Sequence, residues 1–243
     1  MRATPIRVLL LMAVFLTACI DAPQVPEAVS ARPPTPTIPR PSPTPTPSPV
    51  LETRSETMYE DAVGSLRFLL DVENANDYPV ERVRASVVLQ NEEGRTVASQ
   101  SAYARLDLLG PGERAPVMVV FYLASPDFAT HDIRLEAQEA DYLMQLLNPA
   151  LEIVDPSGRV GEWVPYEVLG KAHNASSLDA ESVTLAVTCF DAQGRIVAIG
   201  TGRPDDRSIP AGESSEFLVS LGAVAGDVDR CRVQVEGLVP TGN

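Results

Sequence analysis

The chain reads as all-β: two tandem antiparallel β-sandwiches behind a signal peptide and a disordered Pro/Thr-rich stalk. Three observations predict this. Apolar and polar residues alternate with period two through valine-rich segments such as Val183-Thr-Leu-Ala-Val-Thr-Cys-Phe-Asp191. Turn residues, glycine above all, punctuate these segments at short intervals. The pattern also returns after 100 residues: Asn74-Ala75 as Asn174-Ala175, Val87 as Val187, Gly94-Arg95 as Gly194-Arg195, and Gly112-Glu113 as Gly212-Glu213. No gap is needed from Leu66 to Glu136, which lands on Glu236. That period is too long for a solenoid repeat, so two copies of one domain is the reading.

The N-terminus comes first in chain order. Arg2 and Arg7 flank the start of an apolar run, Val8 to Leu16, too short to remain in a bilayer as a helix. Leu16-Thr17-Ala18-Cys19 then places small residues ahead of a cysteine, the arrangement a bacterial lipoprotein signal peptidase cuts. Residues 1–18 are therefore expected to be a lipoprotein signal peptide, and Cys19 the lipidated first residue of the mature chain. The alternative is an ordinary secretory cut nearby. Several acyl chains, palmitate among them, hold firmly where one holds marginally. The expected location is the extracytoplasmic face of the cell membrane.

Residues 19–56 are read as lipidated N-terminus and linker. From Pro33 to Pro49 proline alternates with Thr and Ser, which removes backbone donors and fixes φ. An extended polyproline rod of about 3.1 Å per residue would reach roughly 50 Å. A spacer of that length competes with a linker of no preferred length.

Domain 1 is expected over 57–140, a connector over 141–150 and domain 2 over 151–243. In the first copy, Val83, Ala85, Val87 and Leu89 face inward, Asn91-Glu-Glu-Gly94 turns, and Val117 to Phe121 and His131 to Leu135 supply later strands. Tyr142 to Leu147 is either one or two helical turns or a bridging strand. In the second copy, Leu151 to Val154 opens the domain. Val183 to Asp191, Arg195 to Gly200, Phe217 to Val219 and Cys231 to Val235 follow as strands.

Charge narrows the partners. The net charge is −14, with 19 basic residues scattered among 33 acidic ones. Nucleic acid needs clustered Lys and Arg, and anionic lipid head groups repel this sign. Membrane contact is expected through Cys19 alone, and the partner to be an envelope protein or polymer.

The second unit resembles the FxLYD family of bacterial surface domains. The resemblance rests on Val187-Thr188-Cys189-Phe190-Asp191 followed by Gly194-Arg195-Ile196-Val197, on Gly170-Lys-Ala-His-Asn174 ahead of it, and on Gly212-Glu-Ser-Ser-Glu-Phe217 after it. It departs from the motif where Val187 stands for Phe, Cys189 for Leu and Phe190 for Tyr, and it covers roughly Leu151 to Val239. It implies an immunoglobulin-like sandwich on a secreted or lipid-anchored protein, and it carries over no catalytic residue.

Candidate chemistry is sparse. Cys189 shares its phase with Val187, and Cys231 with Val233, so both face inward, as a disulfide across the core or as two buried thiols. Trp163, the only tryptophan, stands in Gly161-Glu-Trp-Val-Pro165 with Tyr166 close by; it either serves a binding site or, the favoured reading, packs at a core end or domain junction. Asn74 and Asn174 are expected to shape turns, and Asn174-Ala-Ser176 also spells a glycosylation sequon. Asp205-Asp206 and Asp227/Asp229 lack the spacing of a calcium loop. With no Cys-x-x-Cys, two histidines and no nucleophile elbow, neither a metal, a cofactor nor an enzyme is expected. The expected function is a non-catalytic display or protein-interaction module, with a glycan or small-ligand receptor as alternative.

Overall fold

A computed structural model describes residues 48–122, 127–141 and 150–239. The signal peptide, Cys19, the stalk up to residue 47 and the segment from Tyr142 to Leu147 lie outside the described residues.

Among the described residues there are fourteen strands and no helix. The first copy contributes β1 (Leu51–Glu60), β2 (Leu66–Asn74), β3 (Val80–Gln90), β4 (Thr96–Tyr103), β5 (Leu108–Leu109), β6 (Arg114–Phe121) and β7 (Thr130–Glu139). The second contributes β8 (Leu151–Arg159), β9 (Tyr166–Asn174), β10 (Ala180–Phe190), β11 (Ile196–Gly202), β12 (Ser208–Ile209), β13 (Ser214–Leu221) and β14 (Arg230–Leu238). Each copy is a sandwich. One sheet runs β1-β2-β6 (β8-β9-β13 in the second copy). The other runs β4-β3-β7 (β11-β10-β14), with the two-residue β5 or β12 on the end of its central strand. All pairs are antiparallel.

The period-two phase reads through to the core. Val83, Ala85, Val87 and Leu89 meet Phe68, Leu70 and Val72 of β2 and Val117, Val119 and Phe121 of β6 in one buried cluster. Leu185, Val187 and Cys189 pack likewise against Val168, Val219 and Leu221. Asn74 and Asn174 are fully buried at the ends of β2 and β9. Asn74 Nδ2 donates to the carbonyls of Tyr78, Leu109 and Gly110, and Asn174 Nδ2 to those of Leu178 and Ile209. Each thus ties the β2–β3 (or β9–β10) loop to the β5–β6 (or β12–β13) turn, the turn-shaping role expected of them. Burial also removes the Asn174 sequon from solvent.

One boundary differs from the sequence reading. The linker expected over 19–56 ends earlier, because β1 starts at Leu51 and pairs with β2 from Leu51↔Asn74 to Glu60↔Leu66. Its sequence, LETRSETMYE, carries little apolar alternation. β1 is an edge strand with a bulge between Thr53 and Ser55, held by its ladder more than by a hydrophobic face.

The two sandwiches are stacked face to face. The outer surface of β1-β2-β6 meets the outer surface of β11-β10-β14, burying Leu69, Phe190, Ile196 and Ile199, with Tyr59 and Met118 against them. This explains why β2 and β10 are buried on both faces, down to Asp71 at 1% exposure and Thr188 at 0%.

Candidate interaction surfaces

Cys189 and Cys231 form a disulfide, with 4.0 Å between their Cα atoms. They sit directly opposite one another in the β10–β14 ladder. The bridge therefore joins neighbouring strands of one sheet, and does not cross the core between sheets as the sequence reading placed it. Shared inward phase is common to both geometries, so phase alone could not separate them. In the first copy the same register position holds Leu89 and His131. There the His131 ring stands edge-on to Phe68, 5.1 Å between centroids, and its Nε2 lies 2.7 Å from Glu56 Oε1.

The seam between the copies is polar at its rim. The Arg232 guanidinium grips both oxygens of buried Asp71, and its Nε donates to Gln234 Oε1 at 3.0 Å. Gln234 Nε2 in turn donates to the Arg114 carbonyl at 2.8 Å. Arg114 Nε and Arg54 Nε both reach Glu73 Oε2, at 2.7 and 2.8 Å. Hydrogen bonds from Arg54 and Arg114 hold the Glu73 carboxyl down at about 2. The Ile196 amide donates to Ser55 Oγ at 2.9 Å. Among the described residues, no buried side-chain nitrogen or oxygen lacks a partner. A satisfied network of this kind fixes register between the sandwiches.

Glu236 is the unusual group of the seam. Its carboxylate accepts the Asp107 amide at 2.9 and 3.1 Å and the Thr184 hydroxyl at 3.4 Å. Burial pushes its pKa up to about 7, and the neighbouring Asp107 carboxylate adds to the rise. It lines an open groove of about 300 Å³ together with Asp107, Thr184, Arg203 and Arg207. Sequence reading passed over Glu236, since its register with the Asp107 loop depends on how the copies stack.

Trp163 departs from the favoured expectation. It neither caps the core nor fills a junction: it is 88% exposed in the β8–β9 loop, which also carries Val160 at 80%. Tyr166 is half-buried, its ring lying over Gly158, where an added Cβ would sit 2.5 Å from the hydroxyl. Gly161 is equally constrained, because a Cβ there would sit 2.5 Å from the Val164 carbonyl oxygen. The structure therefore separates the two aromatics: Tyr166 supports the loop and Trp163 projects from it. At the equivalent place in the first copy, Val63 is exposed at 79%.

Elsewhere the polar residues shape turns. Asp206 exchanges hydrogen bonds with Ser215 Oγ, and the Asp205 and Asp229 amides donate to the carbonyls of Glu216 and Phe190. His173 Nδ1 meets Ser214 Oγ at 3.0 Å across β9 and β13, on an exposed sheet surface. Among the described residues, no group of three or more His, Cys, Asp or Glu side chains is placed to hold a metal ion.

No family model matches the chain, and no curated protein matches it. Among solved structures it is similar to red sea bream transglutaminase, at 6% identity and a TM-score of 0.26, covering 76% of this chain and 29% of that one. A likeness at that score carries no argument about activity.

Proposed function

We propose that the chain is a non-catalytic cell-envelope lipoprotein that works as a protein-interaction module. Lipid on Cys19 holds it at the membrane, and the Pro/Thr stalk carries the two sandwiches, the second of them FxLYD-like, outward. The observation that carries the reading is the exposed loop tip of Val160 and Trp163 on a duplicated scaffold closed by its own buried seam. Large apolar side chains at 80% and 88% exposure cost solubility, and aromatic tips of this kind are where binding energy concentrates at contacts. The test is photo-crosslinking on intact cells, with probes in the loops of both copies and the products identified by mass spectrometry. One dominant adduct from probes beside Trp163 supports the module; equal, diffuse labelling from every loop counts against it.

The exposure of Trp163 also favours a second reading, a glycan receptor, since indole faces stack on sugar rings. Purified protein and its Trp163→Ala variant on a glycan array separate the two readings. Binding lost with Trp163 would move the assignment from protein partner to carbohydrate.

A further inference from the structure

Among the described residues, stacking the two sandwiches leaves two sheet faces uncovered. The internal seam pairs unlike surfaces: the outer face of β1-β2-β6 from the first copy and that of β11-β10-β14 from the second. The free faces are the counterparts of those two. They are the outer face of β8-β9-β13, equivalent to the surface the first copy buries, and the outer face of β4-β3-β7, equivalent to the surface the second buries.

We infer that these free faces dock on each other between copies of this chain, continuing the internal stacking head to tail. Charge carries the argument. Across the internal seam Asp71 of β2 pairs with Arg232 of β14. The equivalent places hold Lys171 on β9 and Asp132 on β7, as the matching registers Asp71↔Pro116 and Lys171↔Glu216, and Thr188↔Arg232 and Val88↔Asp132, make plain. The signs are exchanged and the attraction is kept. A second position differs in kind: inside the chain the Asp107 amide donates to Glu236 while the two carboxylates repel, and between copies Arg207 would stand opposite Glu136. Both positions thus place opposite charges against an external copy.

The apolar part is only half retained. Leu69 and Met118, cross-strand neighbours at the seam, become Leu169 and Leu218, with Leu218 50% exposed. Their opposites Phe190, Ile196 and Ile199 become Gln90, Thr96 and Ser99. The contact is therefore electrostatic and reversible where the internal one is permanent, and it weakens with salt. At present Lys171 Nζ lies 3.6 Å from Glu216 Oε1, and Arg134 Nε 3.0 Å from Asp132 Oδ2, on exposed side chains whose pairings are weak and exchangeable. A contact between unlike faces does not close on itself at two copies, so it propagates.

Lys171 is the chain's single lysine, which makes the test site-specific. The full lipidated chain, mixed from unlabelled and ¹⁵N-labelled protein on vesicles, is treated with a carbodiimide. The reagent activates a carboxyl, the lysine amine displaces it as the urea, and an amide bond remains. The expected product is a ladder beyond dimer whose linked peptides join Lys171 to Asp132 with mixed isotopes. The ladder should fade at high salt. In Asp132→Asn it should be lost, while the Lys171–Glu216 link within one chain persists. Only that intrachain link in the wild type, or a ladder ending at dimer with Lys171 joined to Glu216 of another copy, would overturn the proposal.

Discussion

Between pH 5 and 7.5 the protein should lose stability as pH rises, and one carboxyl should account for it. Glu236 has its pKa raised from 4.5 to about 7, by burial first and by Asp107 second. Over that interval the folded state keeps a proton that the unfolded chain has released. The stability linked to this group is therefore complete below pH 4.5, declines through the interval and is gone above about 7. At ~1.36 kcal/mol per pH unit the loss is about 3 kcal/mol at most, and about 2 kcal/mol once partial solvent access is allowed for. Glu236→Gln keeps an acceptor for the Asp107 amide and cannot ionise. It should match the wild type near pH 5 and exceed it by about 2 kcal/mol at pH 7.5. Urea unfolding followed by far-ultraviolet circular dichroism reads this, because the exposed Trp163 is a poor fluorescence reporter of the fold. The lowered Glu73, Asp61 and Asp191 carboxyls act the opposite way, contributing stability lost only as pH falls below their ordinary range. Parallel wild-type and variant curves across the interval would show that Glu236 does not hold its proton in the folded state.

Other consequences are equally direct. Replacing both Cys189 and Cys231 by alanine releases a loop of 42 residues and should cost about 4 kcal/mol in chemical denaturation, with the strand spectrum unchanged. Leu69→Ala opens a cavity in the seam and should cost about 2–4 kcal/mol, while Leu218→Ala on the free face should fall within about 0.5 kcal/mol of wild type. Arg232→Ala leaves the buried Asp71 carboxylate on its longer 3.7 Å contact with Arg114 and should cost about 3 kcal/mol, most of it regained when Asp71→Asn is added. Trp163→Ala should shift the unfolding midpoint little, by about 0.5 kcal/mol or less, yet remove the dominant crosslink of the loop.

Much of the fold was legible because period-two alternation and the 100-residue offset both survive in the side chains. The strand from Val183 to Phe190 and its copy from Val83 to Gln90 declared their inward faces. β1 did not, since LETRSETMYE presents a polar edge tied by its backbone ladder and by side-chain pairs such as Arg54 with Glu73. The seam was encoded but easily passed over. Leu69 sits in β2 out of phase with Phe68 and Leu70, and Phe190, Ile196 and Ile199 replace Gln90, Thr96 and Ser99. Phe190, Ile196 and Ile199, apolar on the supposed solvent face of the second copy only, were the trace of the stacking. Trp163 shows the reverse failure: size and apolarity suggested burial, while the β8–β9 loop leaves it exposed. The disulfide partners were readable, but their placement within one sheet required the register.

The Leu69–Phe190 seam and the Asp71–Arg232 pair join the two sandwiches into one body. Equilibrium urea unfolding of the wild type beside Arg232→Ala, followed by hydrogen exchange resolved to each copy, tests it directly. One transition is expected in the wild type, with both copies losing protection together, and two separable transitions in the variant. Two transitions in the wild type, each copy melting at its own midpoint, would contradict it.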